Sequence, residues 1–226
     1  MSDGIRIDLH VHSTHSPDSR LSLETIVGQL SYVGLKGFAL TDHNTVAGHR
    51  ALAELAGRHP EYLFVPGVEV STREGHLLGY GIDAAPPPHR PIQETIEWID
   101  ARGGVAVVAH PFRWTHGVGR RVATAVSVRA FETRNGHNSE LANARAELLA
   151  AQRGLGATGG SDAHDVRDLG RAYTECAEPV ESVDGFLEYL RRGHSASNGQ
   201  SLPLAGRVRL SGRTVFRFVG RGFRPL

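Results

Sequence analysis

Short β-rich segments alternate with helical segments along most of this chain, and this alternation restricts the possible folds more than any other feature. The predicted strands are residues 5–10, 37–41, 63–70, 76–82, 105–110, 128–133 and 156–161. Helices are predicted between several of these strands, over residues 22–34, 91–104 and 138–154. Such alternation is typical of βα units that build a parallel sheet. We therefore expect an α/β fold.

The third predicted helix carries the clearest helical pattern. Its small and apolar residues recur at helical spacing, and they are Leu141, Ala144, Leu148 and Ala151. Gly154 follows them and is a typical stop signal for a helix. We expect one continuous helix that ends at this glycine.

Length and composition predict one large domain in a reducing compartment. A chain of 226 residues can form a single well-buried core. Its single cysteine, Cys176, excludes an intramolecular disulfide and any thiolate-rich metal site. No signal-peptide pattern and no run of about 18 apolar residues is present, so we expect a cytoplasmic protein without a membrane partner. The net charge of +1 does not indicate nucleic acid as an obligatory partner.

Residues 204–226 differ from the rest of the chain. Arginines alternate there with apolar residues on both sides of Ser211 and Gly212, which predicts a β-hairpin with one packed and one solvated face. We expect residues 1–203 to form the main domain and the hairpin to pack on it. A solvated basic face is the simpler explanation of these arginines, and binding of nucleic acid through them stays open.

Nearly every predicted strand has an imidazole or a carboxylate at one end. These residues are His10, His12, Asp42, His43, Glu69, His76, His110, Asp162 and His164. In β/α barrels the strand ends converge on one mouth, so residues far apart in sequence meet there. A single such histidine would be an ordinary core or surface residue, but the repetition predicts a metal site. A mixed histidine and carboxylate set suits zinc, manganese or iron, and nine candidate ligands are about right for two or three ions.

The segments that carry these residues resemble the PHP superfamily, named for its polymerase-associated and histidinol phosphatase members. They are HVHSTHSPDS, TDHNT, GVEVST, HLLGYGI, AHP and GSDAH, in this order between about residues 5 and 197. The resemblance implies a distorted (β/α)7 barrel with two or three metal ions at its C-terminal mouth. It also implies a phosphoesterase activity.

The resemblance further implies which residues hold each ion. Residues His10, His12, Glu69 and Asp162 would hold the first ion. The second ion would be held by Glu69, His76 and His110, with Glu69 bridging, and the third by Asp18, His43 and His164. The roles of two neighbouring residues stay open. His15 is a rival of Asp18, and Asp8 would either orient a ligating imidazole or be a buried structural aspartate.

Other polar residues near the strand ends are candidates for substrate binding. Arg113 and Arg134 could hold phosphate oxygens through their guanidinium groups, although each could equally be a salt-bridged surface arginine. Asn135 would line the site. Either His137 or His116 could protonate the leaving oxygen. The segment 195–201 would either close over the mouth or simply lead to the hairpin.

These residues predict hydrolysis of a phosphomonoester, either a small molecule, a nucleotide or a short oligonucleotide. Three divalent ions would outweigh the charges of Glu69, Asp18 and Asp162 and leave a cationic pocket that attracts an anion. The nucleophile would be a hydroxide between two ions, because metal binding lowers the pKa of water. The alternatives are an amidohydrolase or lactonase with the same metals, and a non-catalytic domain that metals only stabilise. Some nucleotide phosphatases of the superfamily carry a helical lid after the HLLGY segment, and the short connection from Ile82 to Val105 leaves no room for it.

Overall fold

All seven predicted strands are present in the structure, a computed structural model that describes residues 4–202. The strands are β1 (Ile5–Val11), β2 (Gly37–Leu40), β3 (Leu63–Ser71), β4 (His76–Tyr80), β5 (Val105–Val108), β6 (Ala130–Asn135), β7 (Gly156–Gly160), β8 (Ala172–Cys176) and β9 (Ala196–Gly199). The last two strands were not predicted.

The helices lie between the strands. They are α1 (Leu23–Leu30), α2 (His49–Arg58), α3 (Ile92–Asp100), α4 (Gly119–Ala125), α5 (Glu140–Arg153) and α6 (Val183–Arg191), with a short 3-10 helix at Val166–Asp168. Ser22 caps α1 by accepting a hydrogen bond from the Thr25 amide. Ser139 caps α5 in the same way, and Gly154 ends α5 in the left-handed conformation.

The strands form one sheet in the order β7-β6-β5-β4-β3-β2-β1-β8-β9. Strand β4 is antiparallel to both of its neighbours, whereas β1 to β3 are parallel to one another, as are β5 to β7. The sheet curls until β7 reaches β1, where Val11 and Ala163 form a parallel bridge and the Asp162 amide donates to the His10 carbonyl. The predicted α/β barrel is therefore confirmed as a nearly closed, barrel-shaped mixed sheet.

Glycines permit this closure. A Cβ atom at Gly160 would lie 2.3 Å from the Cβ of His10 and 2.7 Å from its backbone nitrogen. A Cβ at the adjacent Gly159 would lie 2.3 Å from the carbonyl oxygen of Tyr173. Because real Cβ atoms do not approach other atoms so closely, strand β7 can lie against β1 and β8 only with glycine at these positions.

Helix α5 packs with a different face from the one that its leucines suggested. Leu141 and Leu148 are 62% and 58% exposed. Its buried face consists of small side chains with one leucine, namely Ala142, Asn143, Ala146, Leu149 and Ala150. The helix prediction was correct, but helical spacing alone did not identify the side that meets the sheet.

The segment 195–201 is not a plain loop, because it contains strand β9, which pairs antiparallel with β8. Closure of this segment over the mouth stays a prediction. The hairpin predicted for residues 204–226 lies outside the described residues, so the domain boundary after residue 203 stays a prediction. Among residues 4–202, no helix has both the length and the apolar composition needed to cross a bilayer.

Candidate metal centre

Four buried side chains from three distant segments converge at the mouth of the barrel. His10 and His12 extend from β1, Glu69 lies in β3, and Asp162 follows β7. Their ligand atoms all lie within 4.8 Å of one another. The Nε2 atoms of His10 and His12 are 3.2 and 3.3 Å from Glu69 Oε2, and 3.6 and 3.3 Å from Asp162 Oδ1. This group contains the same residues as the predicted first ion site.

Several ligand atoms of this group lack a hydrogen-bond partner within the described part of the chain and have the chemistry of metal ligands. His10 Nε2, His12 Nε2 and Glu69 Oε2 are buried and make no hydrogen bond of acceptable geometry among residues 4–202. Buried polar atoms are nearly always satisfied, because an unpaired one costs about 1–3 kcal/mol. Imidazole nitrogens and carboxylate oxygens are also the donors that zinc, manganese and iron accept. The donor set and its unsatisfied atoms are therefore consistent with a cation between them.

Glu69 also faces a second set of imidazoles. Its Oε1 atom lies 2.7 Å from His76 Nδ1 and 3.0 Å from His110 Nε2, and its Oε2 atom lies 3.1 Å from His43 Nδ1. His76 reaches the mouth from the first residue of β4, because β4 runs antiparallel and begins where β3 ends. Glu69 is thus placed between two groups of imidazoles, as a bridging carboxylate requires.

The third predicted group also comes together. Asp18 Oδ2 lies 3.1 Å from His164 Nε2 and 3.4 Å from His43 Nε2. His15, the rival of Asp18, is exposed. The His12 ring lies between the histidines of this group, with centroids 4.5 Å from His43 and 4.2 Å from His164. The geometry therefore favours Asp18 over His15.

Two residues of the cluster have an unusual backbone conformation. His110 and Asp162 have φ angles of 27° and 58°. Residues other than glycine rarely adopt positive φ, and such strained residues concentrate at functional sites. In both cases the conformation occurs directly after a strand, where it turns the side chain into the mouth.

Opposite charges at the centre offset the cost of burying them. Burial raises the pKa of Glu69, but His76, His10 and His43 face it and hold this pKa well below its ordinary value. Burial likewise opposes ionisation of Asp162, and Arg113 is the largest influence that keeps its pKa low. Burial alone would lower the pKa of His12, yet Asp162 and Glu69 raise it to about 10. The carboxylates therefore raise the pKa of His10 and His12, whereas burial lowers the pKa of His43 and of His110.

One residue that orients the cluster, Glu132, was missed by the sequence reasoning. Its Oε1 atom lies 2.9 Å from His10 Nδ1, and its Oε2 atom accepts hydrogen bonds from the His110 amide at 2.8 Å and from Asn135 Nδ2 at 3.1 Å. A carboxylate on Nδ1 fixes the tautomer in which Nε2 is free to bind metal. Its position in a predicted strand was the available signal, but a strand residue alone does not reveal the face on which it lies.

Two aspartates near the ligands have other roles. Asp8 does not contact an imidazole, because its carboxylate accepts from the backbone amides of His10, Ser161 and Gly170. These contacts support the structural alternative for Asp8, and burial raises its pKa to about 6. Asp42, which follows β2, accepts from the amide and hydroxyl of Ser13 at 2.7 and 2.8 Å and so anchors the loop after β1.

The two candidate arginines differ in position. Arg113 contacts Asp162, and its guanidinium donates to Asn135 Oδ1 at 2.8 Å and to Asn138 Oδ1 at 3.2 Å. Arg134 instead pairs with Glu140 and Glu147 of α5 and is not part of the cluster. A bulge between Glu132 and Arg134 explains this, because residues two apart no longer share a face across a bulge. Arg113 and Asn135 are at the site, and Arg134 is not.

Two further histidines border the cluster. The His137 side chain is buried, with Nδ1 3.9 Å from Asp162 Oδ2 and Nε2 3.5 Å from Asp168 Oδ2. Burial lowers its pKa. His116 stacks on His76, with centroids 4.5 Å apart, and burial lowers its pKa to about 4. Both predicted proton donors therefore lie within reach of the mouth.

Comparison with known proteins identifies the family. The PHP domain matches residues 8–102, and the PHP-associated region matches residues 140–195. An uncharacterized protein of Methanocaldococcus jannaschii is 30% identical over 118 residues, which are 48% of this chain and 68% of that protein. The chain belongs to the PHP family, which confirms the resemblance.

Two further relatives have named activities. The phosphoribosyl 1,2-cyclic phosphate 1,2-diphosphodiesterase of Eggerthella lenta is 38% identical over 86 residues, or 35% of this chain and 32% of that enzyme. The 5'-3' exoribonuclease Rnm of Salmonella typhimurium is 38% identical over 102 residues, or 42% of this chain and 34% of that enzyme. The chain therefore matches only about a third of the length of each enzyme.

Solved structures share the fold. A two-domain protein of Bacteroides vulgatus that contains a predicted PHP-like metal-dependent phosphoesterase superposes with a TM-score of 0.72 at 18% identity, over 87% of this chain and 65% of that one. Endonuclease Q, in complex with a 27-mer duplex that has an abasic lesion at the active site, gives 0.64 at 15% identity, over 92% and 67%. These likenesses concern the fold alone.

Proposed function

We propose that this protein is a metal-dependent phosphoesterase that hydrolyses a phosphomonoester, either a small phosphorylated molecule, a nucleotide or a short oligonucleotide. The observation that carries the proposal is the buried group of His10, His12, Glu69 and Asp162, with its unsatisfied ligand atoms at the barrel mouth. Membership of a family with phosphoesterase and nuclease relatives supports the same class of reaction.

Two or three zinc, manganese or iron ions would be held by the three groups of ligands described above, with Glu69 between the first two. Bound there, such ions would lower the pKa of water and neutralise phosphate oxygens, which is the chemistry that hydrolysis of a phosphate ester needs. The chain's own contribution is to hold imidazoles and carboxylates in place before substrate arrives. Closure of β7 on β1 and the carboxylate of Glu132 both serve this function.

Arg113 is our proposed phosphate-binding residue. Its guanidinium donates from Nε to Asn138 and from Nη2 to Asn135 and Asp162, so it is oriented before a phosphate binds and its Nη1 group would meet the phosphate oxygens. Arginine binds phosphate oxygens through paired N–H groups. His137 is our proposed donor of a proton to the leaving oxygen. Because burial lowers its pKa, the adjacent carboxylates of Asp162 and Asp168 would have to stabilise its protonated form.

A monoester is favoured over a diester by charge. Divalent ions at the three groups would outweigh the charges of Glu69, Asp18 and Asp162, and Arg113 adds a further positive charge. A phosphomonoester is close to doubly negative at neutral pH, whereas a diester carries one charge. The stronger attraction of the pocket is therefore for a terminal phosphate.

The amidohydrolase alternative is less well supported. Those enzymes often use a carbamylated lysine as the bridging ligand, and this chain has a single lysine, Lys36. Lys36 is exposed and directly precedes β2, whereas His43 follows the other end of that strand. The lysine therefore lies at the end of the barrel away from the ligands and cannot bridge them.

The test is hydrolysis of a matched panel by manganese- or zinc-loaded protein. The panel contains an aryl phosphate, a nucleoside 3',5'-bisphosphate, a 5'-phosphorylated oligonucleotide, a phosphodiester, an aryl amide and a lactone. We expect release of inorganic phosphate from the monoesters. Cleavage of the diester alone would move the protein to the phosphodiesterases, and cleavage of the amide or lactone alone would establish the alternative. No turnover with metal demonstrably bound would favour a non-catalytic domain.

A cytoplasmic location is part of the proposal, based on the single buried cysteine and the expected phosphorylated substrate. The partner is then a phosphorylated metabolite, a nucleotide or a short nucleic acid.

A further inference from the structure

The loop between β5 and α4 exposes a tryptophan beside the metal centre. The side chain of Trp114 is 99% exposed. Its neighbours in the loop behave differently, because Phe112 and Val118 pack against the apolar core. Large apolar side chains are normally at least partly buried, so an indole left wholly in water calls for an explanation.

Trp114 lies between two residues that contact candidate metal ligands. Arg113, immediately before it, contacts Asp162. His116, two residues after it, stacks on the ring of His76 with an angle of 17° between the planes. Trp114 is therefore in the loop that borders the mouth, one position after the arginine that we propose binds phosphate.

The loop is held firmly on both sides of Trp114. The Arg113 amide donates to the His110 carbonyl at 2.9 Å, and the His76 amide donates to the His116 carbonyl at 3.0 Å. A Cβ at Gly117 would lie 2.4 Å from the Arg113 carbonyl oxygen, so the turn is as tight as glycine permits. These contacts hold the backbone on both sides of Trp114, which reduces the backbone entropy lost when a ligand stacks on its side chain.

We propose that Trp114 is a stacking platform for the base of a nucleotide whose phosphate occupies the metal centre. This inference rests on the proposed phosphoesterase function and narrows its substrate class to nucleotides or single-stranded oligonucleotides. Bases stack on exposed aromatic side chains without regard to sequence, because every base has a π-face. A sugar phosphate without a base would use Arg113 and the metal ligands but not Trp114.

The kinetic test compares ribonucleoside 5'-monophosphates with ribose 5-phosphate, using metal-loaded protein. Stacking of one base contributes about 1–3 kcal/mol, so we expect Trp114→Ala to lower the preference for the nucleotide, as a ratio of kcat/KM values, by at least about fivefold. Trp114→Phe should retain most of the preference. Trp98→Phe is the matched control, because Trp98 lies in α3 under the guanidinium of Arg102. An unaltered ratio in Trp114→Ala would overturn the inference, whereas the absence of any ester hydrolysis would overturn the proposed function itself.

A binding measurement gives a readout that does not depend on turnover. The chain has two tryptophans, so the Trp98→Phe variant emits from Trp114 alone. Titration with a nucleoside monophosphate should quench this emission, and ribose 5-phosphate should not. Hydrolysis of nucleotides without any quenching would contradict stacking. If Trp114→Ala instead alters only the oligomeric state in light scattering, the exposed indole binds a second copy of the chain and the inference is wrong.

Discussion

Replacing Glu132 with glutamine is expected to weaken metal binding while leaving the shape of the site unchanged. The carboxylate receives His10 Nδ1 at Oε1, and the His110 amide and Asn135 Nδ2 at Oε2. Glutamine has one acceptor oxygen, so one of these positions becomes an N–H₂ group that faces donors. If that group faces His10, the imidazole must accept through Nδ1, and its proton moves to Nε2. The atom that points into the first ligand group then cannot bind a cation.

The expected magnitude follows from this loss. Replacement of such orienting partners typically costs 10–100-fold in metal affinity, which corresponds to about 1.4–2.7 kcal/mol. If glutamine turns its oxygen toward His10 instead, the His110 amide is left buried and unsatisfied, at a cost of about 1–3 kcal/mol. The first orientation lowers metal affinity, which competition with a chromophoric chelator and metal content by mass spectrometry measure. The second orientation keeps the His10 tautomer and lowers the free energy of unfolding instead, which urea unfolding measures.

The control for this variant is Glu140→Gln, which removes a carboxylate that pairs with Arg134 on the outside of the barrel. The control should bind metal like the wild type. Metal affinity in Glu132→Gln within twofold of the wild type, together with unaltered stability in urea, would refute the reasoning that the Glu132 carboxylate orients His10 and the His110 backbone.

Three further perturbations test other parts of the account. Gly160→Ala should destabilise the fold by about 1–3 kcal/mol in urea unfolding and lower metal content, because its Cβ would overlap His10; wild-type stability would contradict the closure described above. Arg113→Ala should raise KM for a phosphomonoester at least tenfold while Arg134→Ala leaves it within twofold, and steady-state kinetics would reveal the reverse order if Arg134 binds phosphate. Burial raises the pKa of the Cys176 thiol from 9.0 to about 12, so the unfolded state loses this proton first and the free energy of unfolding should fall as pH rises above 9. This pH dependence should be weaker in Cys176→Ala, and equal slopes in the two proteins would refute the role of the thiol.

The strands could be predicted because they are separate segments with clear boundaries, and their closure into a barrel was implied by the resemblance to the PHP superfamily. Each predicted strand begins at the residue where the structure begins it or within two residues of it. Strands β8 and β9 were missed since their sequences, AYTEC and ASNG, lack a run of β-branched or aromatic residues, and their pairing is set by contacts with β1 and with each other. Propensity is a weak guide where tertiary contacts decide.

The candidate ligands could be collected because a strand end is recognisable in sequence and strand ends meet in a barrel, whereas their division into three ion sites was implied by the resemblance to the PHP superfamily. The orientation of the side chains within the site could not be predicted from the sequence. The sequence does not distinguish Arg113 from Arg134, since both follow predicted strands. Only the bulge in β6 and the glutamates of α5 explain why Arg134 points away from the site. Glu132 was missed for the same reason, since its role depends on the residues that face it across the barrel. Side-chain direction is a property of the folded sheet.

The measurement that tests the central claim most directly is the Asp162→Asn variant, with metal content and phosphomonoester hydrolysis determined on the same sample. Asn tolerates the left-handed conformation that Asp162 adopts at φ 58°, so the fold should persist in circular dichroism and thermal unfolding. We predict that bound metal falls and that turnover is abolished. Unchanged metal content and turnover in a folded variant would contradict the assignment of this cluster as the metal centre.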